Sequence, residues 1–382
     1  MDNVYLSHNN IISTYGFDSV SAINQLKNEV SGLQLVDDDR ILPVPFYSSR
    51  IAKNKLREKF NGLNPTEDYT RLEQILIVSL SETLEKAGLE FNERVGLIVS
   101  TTKGNIDVLE KTNPFPESRA YLAEMGKKIK EFFGFQNEAI ILSNACVSGV
   151  LAITVAKSLI RQKRYDHVFV VGGDLVTKFI LSGFNALQAL SDEPCRPYCK
   201  TRTGINIGEV GASILVTKDE NKLTKESVQI LGEASCNDAN HISGPSRTGE
   251  GLFRSITAAM KQAGLSAGNI DFISAHGTAT LFNDEMEAIA FNRAQLQNTP
   301  LNSLKGYFGH SLGASGLLET IIGLHSLHQN TLFASKGFQE LGVSEPLNII
   351  EKTTHKNIDT FLKTASGFGG CNTAVIFQKV IR

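Results

Sequence analysis

No stretch of the chain approaches 18 consecutive apolar residues, which excludes a membrane-spanning helix on the sequence alone. A charge excess of either sign is also missing. The chain carries 38 Lys and Arg against 40 Asp and Glu, a net charge of −2, and so has no global electrostatic footprint for nucleic acid. Cysteine is scarce: Cys146, Cys195, Cys199, Cys236 and Cys371 are an odd, scattered set. That pattern argues against a disulfide framework and suits a reducing compartment. Cys195 and Cys199 stand four apart, but no CxxC or histidine pair completes a zinc site, so no metal is expected. The opening MDNVYLSHNNIISTYG has no basic segment followed by an apolar one, so a signal peptide is not expected and a cytoplasmic location is. Tryptophan is absent, which bears on no chemistry. Linkers rich in Pro, Ser or charge are missing too, and nothing cuts the chain into separated modules.

Hydrophobic residues make up 41% and charged residues 20% of 382, enough apolar chain for a large α/β body or two smaller units. VGLIVS (95–100), EAIILS (138–143), HVFVVGG (167–173), ASILVT (212–217), IDFISA (270–275) and TAVIFQ (373–378) read as strands. Their apolar character is continuous rather than alternating, as in a sheet covered on both faces. Helical patterns separate them at 67–87, 147–162, 250–263, 283–296 and 311–328. In the first of these, Leu72, Ile75, Leu76, Leu80 and Leu84 recur at helical spacing and Gly88 supplies a stop. This alternation predicts an α/β fold with mainly parallel sheets. An internal echo is present: GEVGASILVTK (208–218) and GGCNTAVIFQK (369–379) lie 161 residues apart, and Cys146 and His310 lie 164 apart. The similar offsets predict two related halves, 1–218 and 219–382.

Three residues stand out chemically. Cys146, in SNACVSGV, falls between a strand and a helix, with Ser143 and Asn144 as capping residues. A thiol at a helix N-terminus meets unpaired N–H groups and the positive end of the dipole, which predicts a thiolate. His276 follows the strand IDFISA in HGTAT, and His310 is read as opening a helix in GYFGHSLGASG. Both histidines sit at strand ends, where α/β proteins build their sites. His8, His167, His241, His325, His328 and His355 have no such motif around them.

These motifs resemble those of the β-ketoacyl-[acyl-carrier-protein] synthases, the two-histidine condensing enzymes of the thiolase superfamily. NACVSG, HGTAT with Asn283–Asp284, SLKGYFGHSLGASG and GFGG (367–370) occur in the family's order. FNALQALS (184–191), CRPY (195–198) and RTGINIGE (202–209) are weaker matches. The resemblance implies a thiolase-like five-layered α-β-α-β-α fold, the first half carrying the nucleophilic Cys and the second both catalytic His.

It also implies roles. Cys146 would hold the acyl chain, and His276 and His310 would stabilise the enolate left when malonyl loses CO₂. Lys305 and Glu319 would form a supporting buried pair. The backbone N–H groups of Cys146 and Phe368 would make the oxyanion hole. Thr278 and Thr280 would bind the pantetheine arm, Phe368 would gate the acyl pocket and Phe184 would line it. RIAKNKLREK (50–59) holds five basic residues and one acidic, 5 − 1 = +4. Arg50, Lys53, Lys55, Arg57 and Lys59 therefore form an expected docking patch for an acidic carrier protein. No cofactor is expected beyond the 4′-phosphopantetheine that carries the substrates. The expected partners are an acyl carrier protein and a second subunit, as a homodimer or a heterodimer with a ketosynthase-like chain.

The implied reaction is a decarboxylative Claisen condensation in fatty acid, polyene or polyketide elongation. The alternative is a non-catalytic or chain-length-determining ketosynthase-like subunit of a heterodimer. Such subunits lack the nucleophile, and Cys146 is present. A thiolase needs a second Cys before its C-terminal glycines, whereas Cys371 follows GFGG here. The initiating synthases carry Asn in place of one His. Departures from the family pattern are Cys199 in place of Asp, the extra Val in GEVGA (208–212), STTKGN (100–105) in place of a Gly-rich turn and a short 101–144 region. They bear on acyl-chain specificity.

Overall fold

The computed structural model describes residues 3–238 and 241–380. Eleven strands form one twisted sheet. In chain order they are β1 (Tyr5–Ile12), β2 (Val95–Ser100), β3 (Ile140–Leu142), β4 (His167–Asp174), β5 (Val210–Thr217), β6 (Val228–Asn237), β7 (Phe272–Ser274), β8 (Pro300–Asn302), β9 (Asn348–Ile349), β10 (Thr360–Gly367) and β11 (Cys371–Lys379). Their spatial order is β9-β8-β7-β10-β11-β6-β1-β5-β4-β2-β3. The two arms pair along the sheet at a short seam, Tyr5 with Gln229 and Leu6 with Val228.

Outward from that seam the arms repeat one pattern. β1-β5-β4 is antiparallel and β4-β2-β3 parallel. Likewise β6-β11-β10 is antiparallel and β10-β7-β8-β9 parallel. The expectation of mainly parallel sheets is thus corrected, because the sheet is mixed. Its antiparallel members include β1, β6 and β10, which carry polar residues (YLSHNNII, VQILGEASCN, TFLKTASG) and escaped a search for continuous apolar runs.

Helices supply the other layers. Those used here are α1 (Lys53–Asn61), α2 (Arg71–Ala87), α3 (Ser148–Arg161), α4 (Lys178–Ala186), α5 (Glu250–Ala263), α6 (Leu281–Arg293) and α7 (Ser315–Gln329). α2 starts where Thr70 and Glu73 form a capping box, and ends at Gly88 in the left-handed region. It covers the outer face of β1, β5 and β4, while α5 covers β6 and β11. Between the arms lie α3 and α7, each touching strands of both. The order is helix, sheet, helix, sheet, helix, the five layers of a thiolase-like fold. α7 is buried on every side from Ser315 to Leu327, as a helix in a middle layer must be.

Glycine lets the two central helices meet. A Cβ on Gly149 would stand 2.7 Å from Leu317 N, and one on Gly316 would stand 3.0 Å from Val150 N. This contact brings the segment before α3, which holds Cys146, against the segment before α7, which holds His310.

Candidate active site

Cys146 lies in the turn from β3 into α3. Ala145 adopts φ +44°, a left-handed conformation rare for a residue with a Cβ, and this sharp turn presents the next side chain at the layer boundary. Ser143 and Asn144 do not cap α3. Val147 is the N-cap residue without a side-chain bond, and Ser148 Oγ instead accepts from Asn144 N at 2.8 Å. His310 does not open a helix either. Gly309 (φ +66°) and Leu312 (φ +51°) break the chain around it, and α7 begins five residues later. Its backbone N–H donates to Asn206 O at 2.7 Å. Gly208 lies against this segment so closely that a Cβ would overlap Phe308 O.

His276 follows β7. Its backbone N–H donates to Glu287 Oε1 at 2.9 Å and that of Gly277 to Oε2 at 2.7 Å. Glu287 Oε2 also accepts from Tyr198 Oη and Asn283 Nδ2, both at 2.9 Å. Asp284 Oδ1 accepts from Thr278 N at 2.9 Å. Two carboxylates of α6 thereby hold the HGTAT turn.

The three predicted side chains meet. His310 Nε2 lies 2.9 Å from Cys146 Sγ, and the His276 and His310 rings stand edge to face with centroids 5.2 Å apart. One donor atom from each of the three falls within 4.8 Å of the other two. All three are buried. Burial pushes the Cys146 thiol up to about 12 against the opposing pull of Lys305. Burial also pulls both imidazoles well below their ordinary value, with Lys305 adding to it. These shifts favour the neutral thiol and the neutral imidazoles. This runs against the expectation of a helix-stabilised thiolate: Cys146 precedes the first turn of α3, and burial pushes its thiol up rather than down.

Several of the remaining predicted residues lie beside these three, and the basic residues before and on α1 do not line their cleft. Lys305 Nζ pairs with Glu319 Oε1 at 2.9 Å, and both are buried. Lys305 also lies 3.5 Å from His276 Nδ1. An ammonium group only donates, so this contact favours the tautomer with Nδ1 as acceptor and the proton on Nε2. A cleft of about 390 Å³ is lined by Cys146, His276, His310, Thr278, Thr280, Phe184 and Phe368 among others. The Thr278 and Thr280 hydroxyls lie 2.8 Å apart. Phe184, on α4, meets Phe368 with ring centroids 5.7 Å apart, and Phe368 is 41% exposed at the mouth. A Cβ on Gly367 would stand 3.0 Å from Cys146 N, so the GFGG backbone runs beside the nucleophile. Lys53, Lys55, Arg57 and Lys59 project from α1, which is anchored by buried Leu56 and Phe60. Arg50 precedes α1 and reaches Asp38 at 4.0 Å.

Sequence reasoning missed Ser315, Glu287 and Lys363. Ser315 Oγ lies 2.8 Å from His310 Nδ1. Lys363 is fully buried in β10 and pairs with Glu319 Oε2 at 2.7 Å. A lysine inside an otherwise buried strand was the available signal for the last.

A buried thiol and two imidazoles, gathered between two arms of like topology in one sheet, suit a thiolase-fold acyl-transfer enzyme. The comparisons narrow the class. Residues 16–221 match the family described as "Beta-ketoacyl synthase, N-terminal domain" and residues 228–339 match "Beta-ketoacyl synthase, C-terminal domain". "3-oxoacyl-[acyl-carrier-protein] synthase 2" of Coxiella burnetii is 27% identical over 80% of this chain and 81% of its own. "Tetracenomycin polyketide synthase ketoacyl synthase alpha subunit" of Streptomyces glaucescens is 26% identical over 87% of each. Among solved structures, "The ishigamide ketosynthase/chain length factor" superimposes with a TM-score of 0.90 at 23% identity over the whole of both chains, which shows the fold. The chain belongs to the β-ketoacyl synthase family, enzymes of the acyltransferase class.

Proposed function

We propose that this enzyme condenses a Cys146-bound acyl group with malonyl held on an acyl carrier protein, releasing CO₂. The observation that carries the reading is the 2.9 Å contact between Cys146 Sγ and His310 Nε2 in the cleft shared with His276. In the first half-reaction Sγ attacks the acyl thioester carbonyl while its proton passes to His310 Nε2. The tetrahedral oxyanion is held by the backbone N–H groups of Cys146 and Phe368. Collapse breaks the C–S bond to the carrier, and His310 returns the proton to the departing pantetheine thiolate.

In the second, Thr278 and Thr280 hold the pantetheine of malonyl carrier. The bond to the carboxylate breaks, CO₂ leaves, and its electron pair forms an enolate. His276 Nε2–H donates to the enolate oxygen. His310 does the same through Nε2 in its other tautomer, which Ser315 permits because a hydroxyl both donates and accepts. The enolate carbon then attacks the acyl carbonyl, the new C–C bond forms, the C–S bond to Cys146 breaks, and the thiolate takes up one proton from solvent. The ring of Phe368 closes the mouth over the acyl pocket, which Phe184 lines.

The names of the curated relatives support the carrier protein as partner, and the exposed basic residues of α1, with Arg50, support a docking place. The ishigamide neighbour pairs with a chain length factor, and β3 ends the sheet here with no neighbour on its outer edge among the described residues. We propose a dimer formed through that edge, with a second copy or a ketosynthase-like subunit. The repeated strand order of the two arms supports a division into related halves, 1–218 and 219–382. No described helix is long and apolar enough to cross a membrane, and we place the enzyme in the cytoplasm.

Cys146→Ala is expected to lose the acyl adduct in intact mass spectrometry after incubation with acyl carrier, and to make no condensation product. Substantial product from that variant would refute the reading. The alternative, a chain-length subunit without chemistry, predicts no adduct on the parent protein either.

A further inference from the structure

Behind His276 lie three charges sealed from solvent: Lys305, Glu319 and Lys363 are 0%, 2% and 0% exposed. Glu319 is shared, with Oε1 on Lys305 and Oε2 on Lys363. The Lys363 amino group also donates to the carbonyl oxygens of Ser274 at 3.1 Å, Ala275 at 3.3 Å and Thr364 at 2.7 Å. Lys305 donates to the carbonyl of His276. Three consecutive carbonyls, of residues 274 to 276, therefore end on two lysines that share one carboxylate. Burying charges costs desolvation, and a whole buried ion cluster can often be replaced by apolar side chains of similar volume without loss of stability. What only an amino group provides is the tie between the end of β7 and Glu319.

We propose that Lys363 is a positioning residue for the decarboxylation half-reaction, holding the end of β7 and Glu319 so that Lys305 keeps His276 oriented with its Nε2 proton toward the cleft. The proposal rests on the condensation chemistry above and adds a residue that acts on one half of it. The charged and titratable groups facing Lys363 are Lys305, Glu319 on α7, Glu287 on α6, and the two catalytic histidines. Lys363 is among the groups that depress both imidazoles. Removing its charge raises them, so imidazolium forms at higher pH and the acid limb of decarboxylation moves upward.

The test measures CO₂ release from malonyl carrier against pH for the parent enzyme and Lys363→Met, beside acyl transfer to Cys146 by intact mass. The expected result is a fall in CO₂ release of about tenfold or more, an acid limb displaced to higher pH, and unchanged acyl transfer. CO₂ release and pH profile equal to the parent's overturn the proposal, and so do equal losses in both half-reactions, which mark a merely structural role. A parent enzyme that releases no CO₂ refutes the condensation reading instead. If Lys363→Met does not fold, the double variant Glu319→Gln with Lys363→Met removes the stranded carboxylate, and the same ratio is read. A double variant that also fails to fold assigns the cluster to packing and overturns the proposal.

Discussion

At the scale of single residues, reactivity belongs to a pair. Burial pushes the Cys146 thiol up to about 12, which disfavours free thiolate at neutral pH, and in the proposed mechanism its proton moves to His310 as the sulfur attacks. His310 is depressed well below its ordinary value and stays an available base into mild acid. Acyl transfer to Cys146 is therefore expected to stay level as pH falls from 8 to about 6.5 and to decline only below that. In His310→Ala, transfer should be slower and should rise with pH without levelling, because the free thiol must then ionise alone. A parent enzyme that also rises log-linearly across this range would remove His310 as the base. The same burial has a consequence for stability. Both histidines bind protons more readily in the unfolded chain, at about 6.5, than in the folded one. Their contribution is complete above that pH and is lost as pH falls below it. The thermal midpoint is expected to drop between pH 7 and pH 5, less steeply in His276→Gln. A flat midpoint would contradict the assignment of neutral buried imidazoles.

At the scale of elements, the sequence exposed what is local and hid what is shared. VGLIVS, HVFVVGG and ASILVT read as strands because every residue in them except half-buried His167 is buried, and a run of apolar residues reports that directly. Cys146, His276 and His310 were legible because each sits in a tight turn whose small residues are themselves a pattern. Lys363 was not: its partner Glu319 is 44 residues earlier, and nothing in TFLKTAS reveals which side of the strand faces a carboxylate. The thiolate expectation failed for a related reason, since burial is a property of the assembled layers and cannot be read from the start of one helix. The crossing of α3 and α7 turns this into a test. Gly149 faces backbone, where no side chain can swing aside, with Leu317 N at 2.7 Å and Gly313 O at 2.9 Å from an added Cβ. Gly149→Val is expected to cost about 1–3 kcal/mol in denaturant unfolding. It should also lower acyl transfer by separating Cys146 from His310. Unchanged stability would mean the helices do not bear on each other there.

At the scale of the whole molecule, the net charge of −2 hides an uneven surface. Lys53, Lys55, Arg57 and Lys59 share one short exposed helix whose apolar side, Leu56 and Phe60, is committed to the core. Leu56 and Phe60 stand i, i+4 and fix which face turns inward, so the basic residues have no ion-pair partner to seek within that face. None of these four appears in an ion pair among the described residues, whereas Arg50 reaches Asp38. Exposed, unpaired charge contributes little to stability, and its use lies in steering an oppositely charged partner, an effect that weakens as salt screens it. Replacing Lys53, Arg57 and Lys59 together by Glu should leave the thermal midpoint near the parent's. The same change should raise KM for acyl carrier at low ionic strength, with kcat preserved once the carrier saturates. The difference should shrink as salt is added, because the Debye length falls to about 10 Å at 0.1 M. A small pantetheine thioester without the protein should be used equally well by both enzymes, since it never meets α1. If KM for the carrier is unchanged at low salt, the carrier docks elsewhere and the charge on α1 is only a solvated face.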